Sequence, residues 1–233
     1  MKQINQNALI SDLIFESPTL LLILEHFEIP FRIHNKSISE ICEENEINSE
    51  LFIAIVQMCM GFYSYKNLSL TKKDLARIIL FLKNSHRYYE NEKYPEIKNY
   101  ISQLTKLNDS KEIRLVGKFF DEYFSEVKEH LNYEDEIAFP YFESLLSINI
   151  EISAERKFSV KDYNEHHSDI QSKLNDLKEL LLNHIPIKND RTVRRKIILS
   201  LYELQKHLNV HSSIEENIIV PSIAKLEKEI FDR

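Results

Sequence analysis

From Asp74 onward, inward-type residues recur at alternating spacings of three and four along four long stretches of the chain. The first stripe holds Leu75, Ile79, Leu82, His86 and Tyr89, and the second Val116, Phe120, Tyr123, Val127, His130, Glu134 and Ile137. The third holds Val160, Tyr163, His167, Ile170, Leu174, Leu177 and Leu181, and the fourth Leu201, Leu204, Leu208, His211, Glu215 and Ile218. Each spacing places its residues on one side of an α-helix. Four such stripes, with polar connections near residues 108–110, 149–153 and 186–190, predict an all-α protein built on an antiparallel four-helix bundle over residues 75–233.

The first 66 residues predict something different: short, separately capped helices. Ser17 and Pro18 stand where an N-cap and first helical residue would open TLLLILEHF, and Pro30 ends that unit. Ser37 with Glu40 has capping-box spacing ahead of ISEICEEN, and Asn48 can cap SELFIAIVQMCMGF. Residues 1–66 are therefore expected to form a small helical domain, with the polar stretch 63–74 as its boundary.

Composition narrows the function classes. Two glycines and six prolines in 233 residues leave few tight turns, which disfavours a many-stranded fold. A net charge of −7 gives little to neutralise a phosphate backbone, and no nucleic acid is expected as partner. KSISEICEENEINSELF has a faint helix-turn-helix outline, but its second helix lacks the Arg, Lys, Asn or Gln cluster that reads base edges. No apolar run nears the about 18 residues needed to span a bilayer, and the N-terminus has no signal or transit pattern, so a cytoplasmic protein without membrane contact is expected. Cys42 and Cys59 have no Cys-x-x-Cys spacing and read as core thiols.

The chemistry lies in the stripes. His86 and His130 are 44 residues apart, as are His167 and His211, and the two pairs repeat at 81. HLNYEDEIAFP (130–140) and HSSIEENIIVP (211–221) share His, Glu, Ile and Pro at their first, fifth, eighth and eleventh positions. The chain thus reads as a duplicated helical hairpin. Its spacing puts His130 with Glu134, and His211 with Glu215, one turn apart on the core-facing side. Carboxylates buried in a bundle need counter-charge, and metal is the plausible source.

Four imidazoles and two carboxylates without thiolate suit iron, manganese or zinc. Six side chains from four helices are better shared by two ions than one. Of roughly twelve positions on two octahedral ions, the side chains and one oxo or hydroxo bridge fill about ten, leaving about two for a small ligand or water. A metal-free bundle whose polar seam merely specifies pairing is the contrasting reading.

These residues resemble the hemerythrin-like (HHE) domains, and ISDLIFESPTLLLILEHFEIP with NKSISEICEENEIN resembles the small domain preceding that bundle in the iron–sulfur cluster repair di-iron proteins. The resemblance implies a non-haem di-iron centre with His86, His130, His167 and His211 as terminal ligands and Glu134 and Glu215 as bridges. It implies O2 or NO as small ligand, and a role in cluster repair or in the response to nitric oxide and oxidative stress. No residue is singled out as catalytic, and whether the protein is an enzyme stays open. The alternative is a non-catalytic O2- or NO-binding sensor that signals to a partner protein through residues 1–66; a homodimer is compatible with either. Two departures stand out. Phe31 and Arg32 occupy the place of that family's Cys-Cys pair, and Asn108 is the nearest match to its further histidine. His166 and His207 are the alternative sources of an extra ligand, while Tyr89 and Tyr163 stand beside the site histidines.

Overall fold

A computed structural model describes residues 4–62, 68–108, 110–147, 159–160, 163, 170–185 and 190–231. Among them the protein is helical throughout, with one isolated antiparallel bridge between Leu9 and Ser37. Four short helices come first: α1 (Ile10–Glu16), α2 (Leu20–His26), α3 (Ile38–Glu44) and α4 (Ser49–Cys59). The long runs follow as α5 (Lys72–Tyr88) and α6 (Tyr94–Leu107), α7 (Lys111–Tyr133) and α8 (Phe139–Leu146), α9 (Ile170–Glu179), and α10 (Arg191–Ile214) and α11 (Val220–Phe231).

What joins or ends these helices is unusual. Wide π-type turns occupy Tyr89–Lys93 between α5 and α6, Glu134–Ala138 between α7 and α8, Leu180–His184 after α9, and Glu215–Ile219 between α10 and α11. In the first and last of them the backbone bonds are i to i−5: Tyr94 N–H donates to the Tyr89 carbonyl, and Val220 N–H to the Glu215 carbonyl. Each wide turn adds a residue relative to α-helical phase. Ile137 shows the local consequence: expected on the core stripe, it is 46% exposed, while Ala138 and Phe139 are buried instead.

The capping signals resolve with one correction. Ser37 accepts from Glu40 N–H while Glu40 accepts from Ser37 N–H, the reciprocal box that starts α3. The Asn48 side chain accepts from Glu50 and Leu51 N–H to start α4, and Ser110 accepts from Ile113 N–H to start α7. Ser17 does not cap α2: its N–H donates to the Leu13 carbonyl and closes α1, and α2 begins at Leu20 after Thr19. Two helices separated by three residues leave Ser17 serving the earlier one.

By contact density the chain forms two compact units. One comprises residues 1–85, 139–160 and 210–233. Its core includes Ile23, Phe27, Ile41, Phe52 and Ile55, and Phe27 lies against both Phe52 and Phe81, ring centres 5.6 and 4.8 Å apart. Asn84 donates to the His26 carbonyl at 2.9 Å and Arg77 to the Asn45 carbonyl at 3.0 Å, tying α5 to the short helices. His26 is buried with its ring edge on Phe81, a packing residue, whereas His34 and His184 are exposed.

The other unit comprises residues 86–138 and 161–209. Its core runs from Tyr89 and Ile97 through Val116, Phe120 and Val127 to Leu174, Leu177, Leu201 and Leu204. Lys93 is buried within it and donates to Glu96 at 2.9 Å and Glu203 at 2.5 Å; Ser200 donates to the other Glu96 oxygen at 3.0 Å. Burial works against the Lys93 charge, but the two carboxylates outweigh it and hold its pKa above the ordinary lysine value.

Candidate metal centre

Glu134 begins the wide turn at the end of α7 and is fully buried. His86, from the last turns of α5, brings Nε2 to 3.3 Å from Glu134 Oε2, and His130, one helical turn before the glutamate, brings Nε2 to 3.2 Å from Oε1. Each carboxylate oxygen thus faces a different imidazole. The Tyr163 hydroxyl donates to Glu134 Oε1 at 2.7 Å and fixes the carboxylate's rotation. Behind His86, Asp135 Oδ2 lies 3.1 Å from Nδ1. Asp135 thus faces the ring nitrogen of His86 opposite the one beside Glu134.

The repeat half is built by the same local rule. Glu215 begins its own wide turn, is fully buried, and has Oε1 3.0 Å from His211 Nε2. On the far side of that imidazole, His211 Nδ1 and Ser85 Oγ are 2.8 Å apart, while Ser85 Oγ also donates to the Leu82 carbonyl at 2.7 Å. With its proton committed to Leu82, the hydroxyl accepts from Nδ1–H. The tautomer is thereby set, and the His211 Nε2 lone pair is left for a metal.

Among the described residues, the His and Glu side chains in groups that could hold a metal ion are His86, His130, Glu134, His211 and Glu215. Five of the six ligands expected from the sequence therefore occur in metal-capable groups. His167, the sixth, and its neighbour His166 lie outside the described residues. Buried imidazole and carboxylate donors with an aligned tautomer fit a divalent or trivalent cation of the iron, manganese or zinc type. Asn108 lies beyond the end of α6 and is not among these side chains.

Ser85, Asp135 and Tyr163 are the supporting residues the sequence did not disclose in these roles. Ser85 precedes His86 and Asp135 follows Glu134, but which ring each would meet depends on helix packing that no local pattern encodes. Ser85→Ala and Asp135→Asn are each expected to weaken metal binding by about tenfold, read by competition with a chromogenic chelator. Unchanged affinity in both would remove their orienting role.

His207 is also absent from the metal-capable groups. It is buried with its ring 5.7 Å from Tyr88, and burial, reinforced by Lys206 and Lys93, pushes its pKa down to about 4. Glu203 opposes that shift without reversing it. Because the folded value lies below the unfolded one, the unfolded chain binds more protons between about pH 6.5 and 4. Stability is therefore retained above that window and falls as pH drops through it, by up to about 3 kcal/mol from this group. Urea titrations at pH 7 and 4.5 are expected to show a smaller difference for His207→Phe than for the native chain; an equal difference would assign the acid sensitivity elsewhere.

The described helices include none long and apolar enough to cross a membrane. Burial pushes the Cys42 thiol up to about 12, consistent with a packing role. Compared with known protein families, residues 95–223, more than half of the chain, match the Hemerythrin HHE cation binding domain. The match includes His130, Glu134, His167, His211 and Glu215, and begins nine residues after His86. No curated protein matches the chain.

Proposed function

The chain belongs to the hemerythrin family of HHE cation-binding domains, and from that premise we propose that it is a non-haem di-iron protein acting in iron–sulfur cluster repair or in the response to nitric oxide and oxidative stress. The supporting observation is Glu134, buried and facing His86 with one oxygen and His130 with the other. In this reading His86, His130, His167 and His211 are terminal ligands, Glu134 and Glu215 bridge, and residues 75–233 form the bundle that carries them. When bound, iron supplies reversible one-electron chemistry and open positions for a small ligand such as O2 or NO.

The chain's own residues do the rest. Ser85 meets the His211 ring, Asp135 stands beside His86, and Tyr163 steadies Glu134. The cytoplasm is the compartment this proposal assumes.

A second reading has its own observation. Phe31, 58% exposed, and Arg32 stand in place of a cysteine pair, so residues 1–66 offer no dithiol for cluster transfer or redox relay. As a sensor, the protein binds its small ligand at the centre and meets a partner protein through that small N-terminal domain. Elemental analysis of protein purified without a metal-affinity tag is expected to give about two irons per chain, with an optical spectrum that changes on reduction and on NO addition. Metal-free protein that takes up no iron under anaerobic conditions overturns the di-iron reading. Consumption of many equivalents of NO or O2 with an electron donor favours a turnover enzyme; saturation at one or two equivalents favours the sensor.

A further inference from the structure

The four wide turns share a feature that the metal ligands do not explain: a proline six residues after the first residue of each. Pro95 follows Tyr89, Pro140 follows Glu134, Pro186 follows Leu180 and Pro221 follows Glu215. Pro186 lies outside the described residues; the other three sit second in α6, α8 and α11. In an α-helix a proline lacks the N–H for the carbonyl four residues back and its ring collides with that carbonyl. Those residues are Asn91, Glu136 and Asn217, each the middle residue of its wide turn. All three are exposed, so the displaced carbonyl is on the side where water can satisfy it.

We propose that Pro140 and Pro221 are positioning residues for Glu134 and Glu215. By barring the ordinary α-helical closure at Glu136 and Asn217, each proline keeps the turn wide and fixes the backbone from which a buried glutamate meets its histidine. Pro95 and the turn it follows carry no glutamate ligand: Tyr89 stands in the first position. Pro95 is thus an internal control with the same backbone device and a different cargo. This inference rests on the reading of Glu134 and Glu215 as metal ligands.

The test uses the full chain with Pro140→Ala, Pro221→Ala and Pro95→Ala, with Glu134→Ala alongside. Alanine is the better helix former, so loss of proline does not by itself remove the ability to fold. Co(II) and Fe(II) affinities are measured by chelator competition, and the Co(II) visible spectrum reports ligand geometry independently of thermal stability. Pro140→Ala and Pro221→Ala are expected to bind about tenfold or more weakly and to shift the Co(II) bands, while Pro95→Ala keeps native affinity and spectrum. Equal affinity and spectra in all three proline variants overturn the inference, and so does an equal loss in all three. If Glu134→Ala still loses metal in either case, the ligand assignment survives. Retention of native metal binding by Glu134→Ala would instead overturn that assignment.

Discussion

Glu134→Ala and Glu215→Ala are each expected to lose nearly all of the metal that the native chain binds, while Asn108→Ala leaves the content close to native. The asymmetry follows from position. Glu134 has an imidazole at each oxygen, and Glu215 lies 3.0 Å from His211, whereas Asn108 stands past the end of α6 and is not among the metal-capable side chains. A metal that binds only the folded chain adds stability that grows with its concentration over Kd, about 2.7 kcal/mol at a hundredfold excess. The glutamate variants therefore lose a stability increment that chelation removes from the native protein too. Thermal unfolding with added Fe(II) and with chelator measures both quantities; equal metal content in all three variants would overturn the site.

The second large effect is independent of metal. Phe120 is buried on α7 and stacks on Tyr94, ring centres 4.8 Å apart and planes 14° from parallel, with Tyr123 at 6.4 Å. Truncation to alanine removes a ring that joins α6 to α7 and leaves a cavity between them, at a cost of about 3–5 kcal/mol. For a chain of this length that corresponds to a fall in Tm of roughly 6–20 °C. The loss is expected to be the same with chelator and with metal, because Phe120 belongs to the hydrophobic core and not to the donors. A fall seen only in the metal-loaded protein would place Phe120 among the residues that support the ligands.

How much of this can be read from the chain depends on the range of the interaction involved. The burial of His86, Glu134, His211 and Glu215 is legible because helical spacing is a property of one dimension. The Ser37 box and the Asn48 cap are legible for the same reason, since cap and target lie within four residues. Ser85, Asp135 and Tyr163 are not, because their ring or carboxylate partners come from distant segments or across a turn whose width a fixed α-helical period misses. Ile137 fails on that same count. Its signal is present in Pro140, but a proline inside a repeated motif does not by itself disclose the constraint it sets on the backbone four residues earlier.

The wide turns also change where these helices can open. An ordinary helix frays from its ends, whereas a proline removes one amide proton from the middle of the column and leaves a carbonyl facing water. The long helices thus have an internal starting point for local opening, and two of those points begin at the fully buried Glu134 and Glu215. A cation cannot reach a carboxylate with no exposed surface unless something near it moves first. The local opening that amide exchange reports across residues 134–138 and 215–219 would then set the pace of metal loading, tying how fast the centre fills to how often its own helices breathe.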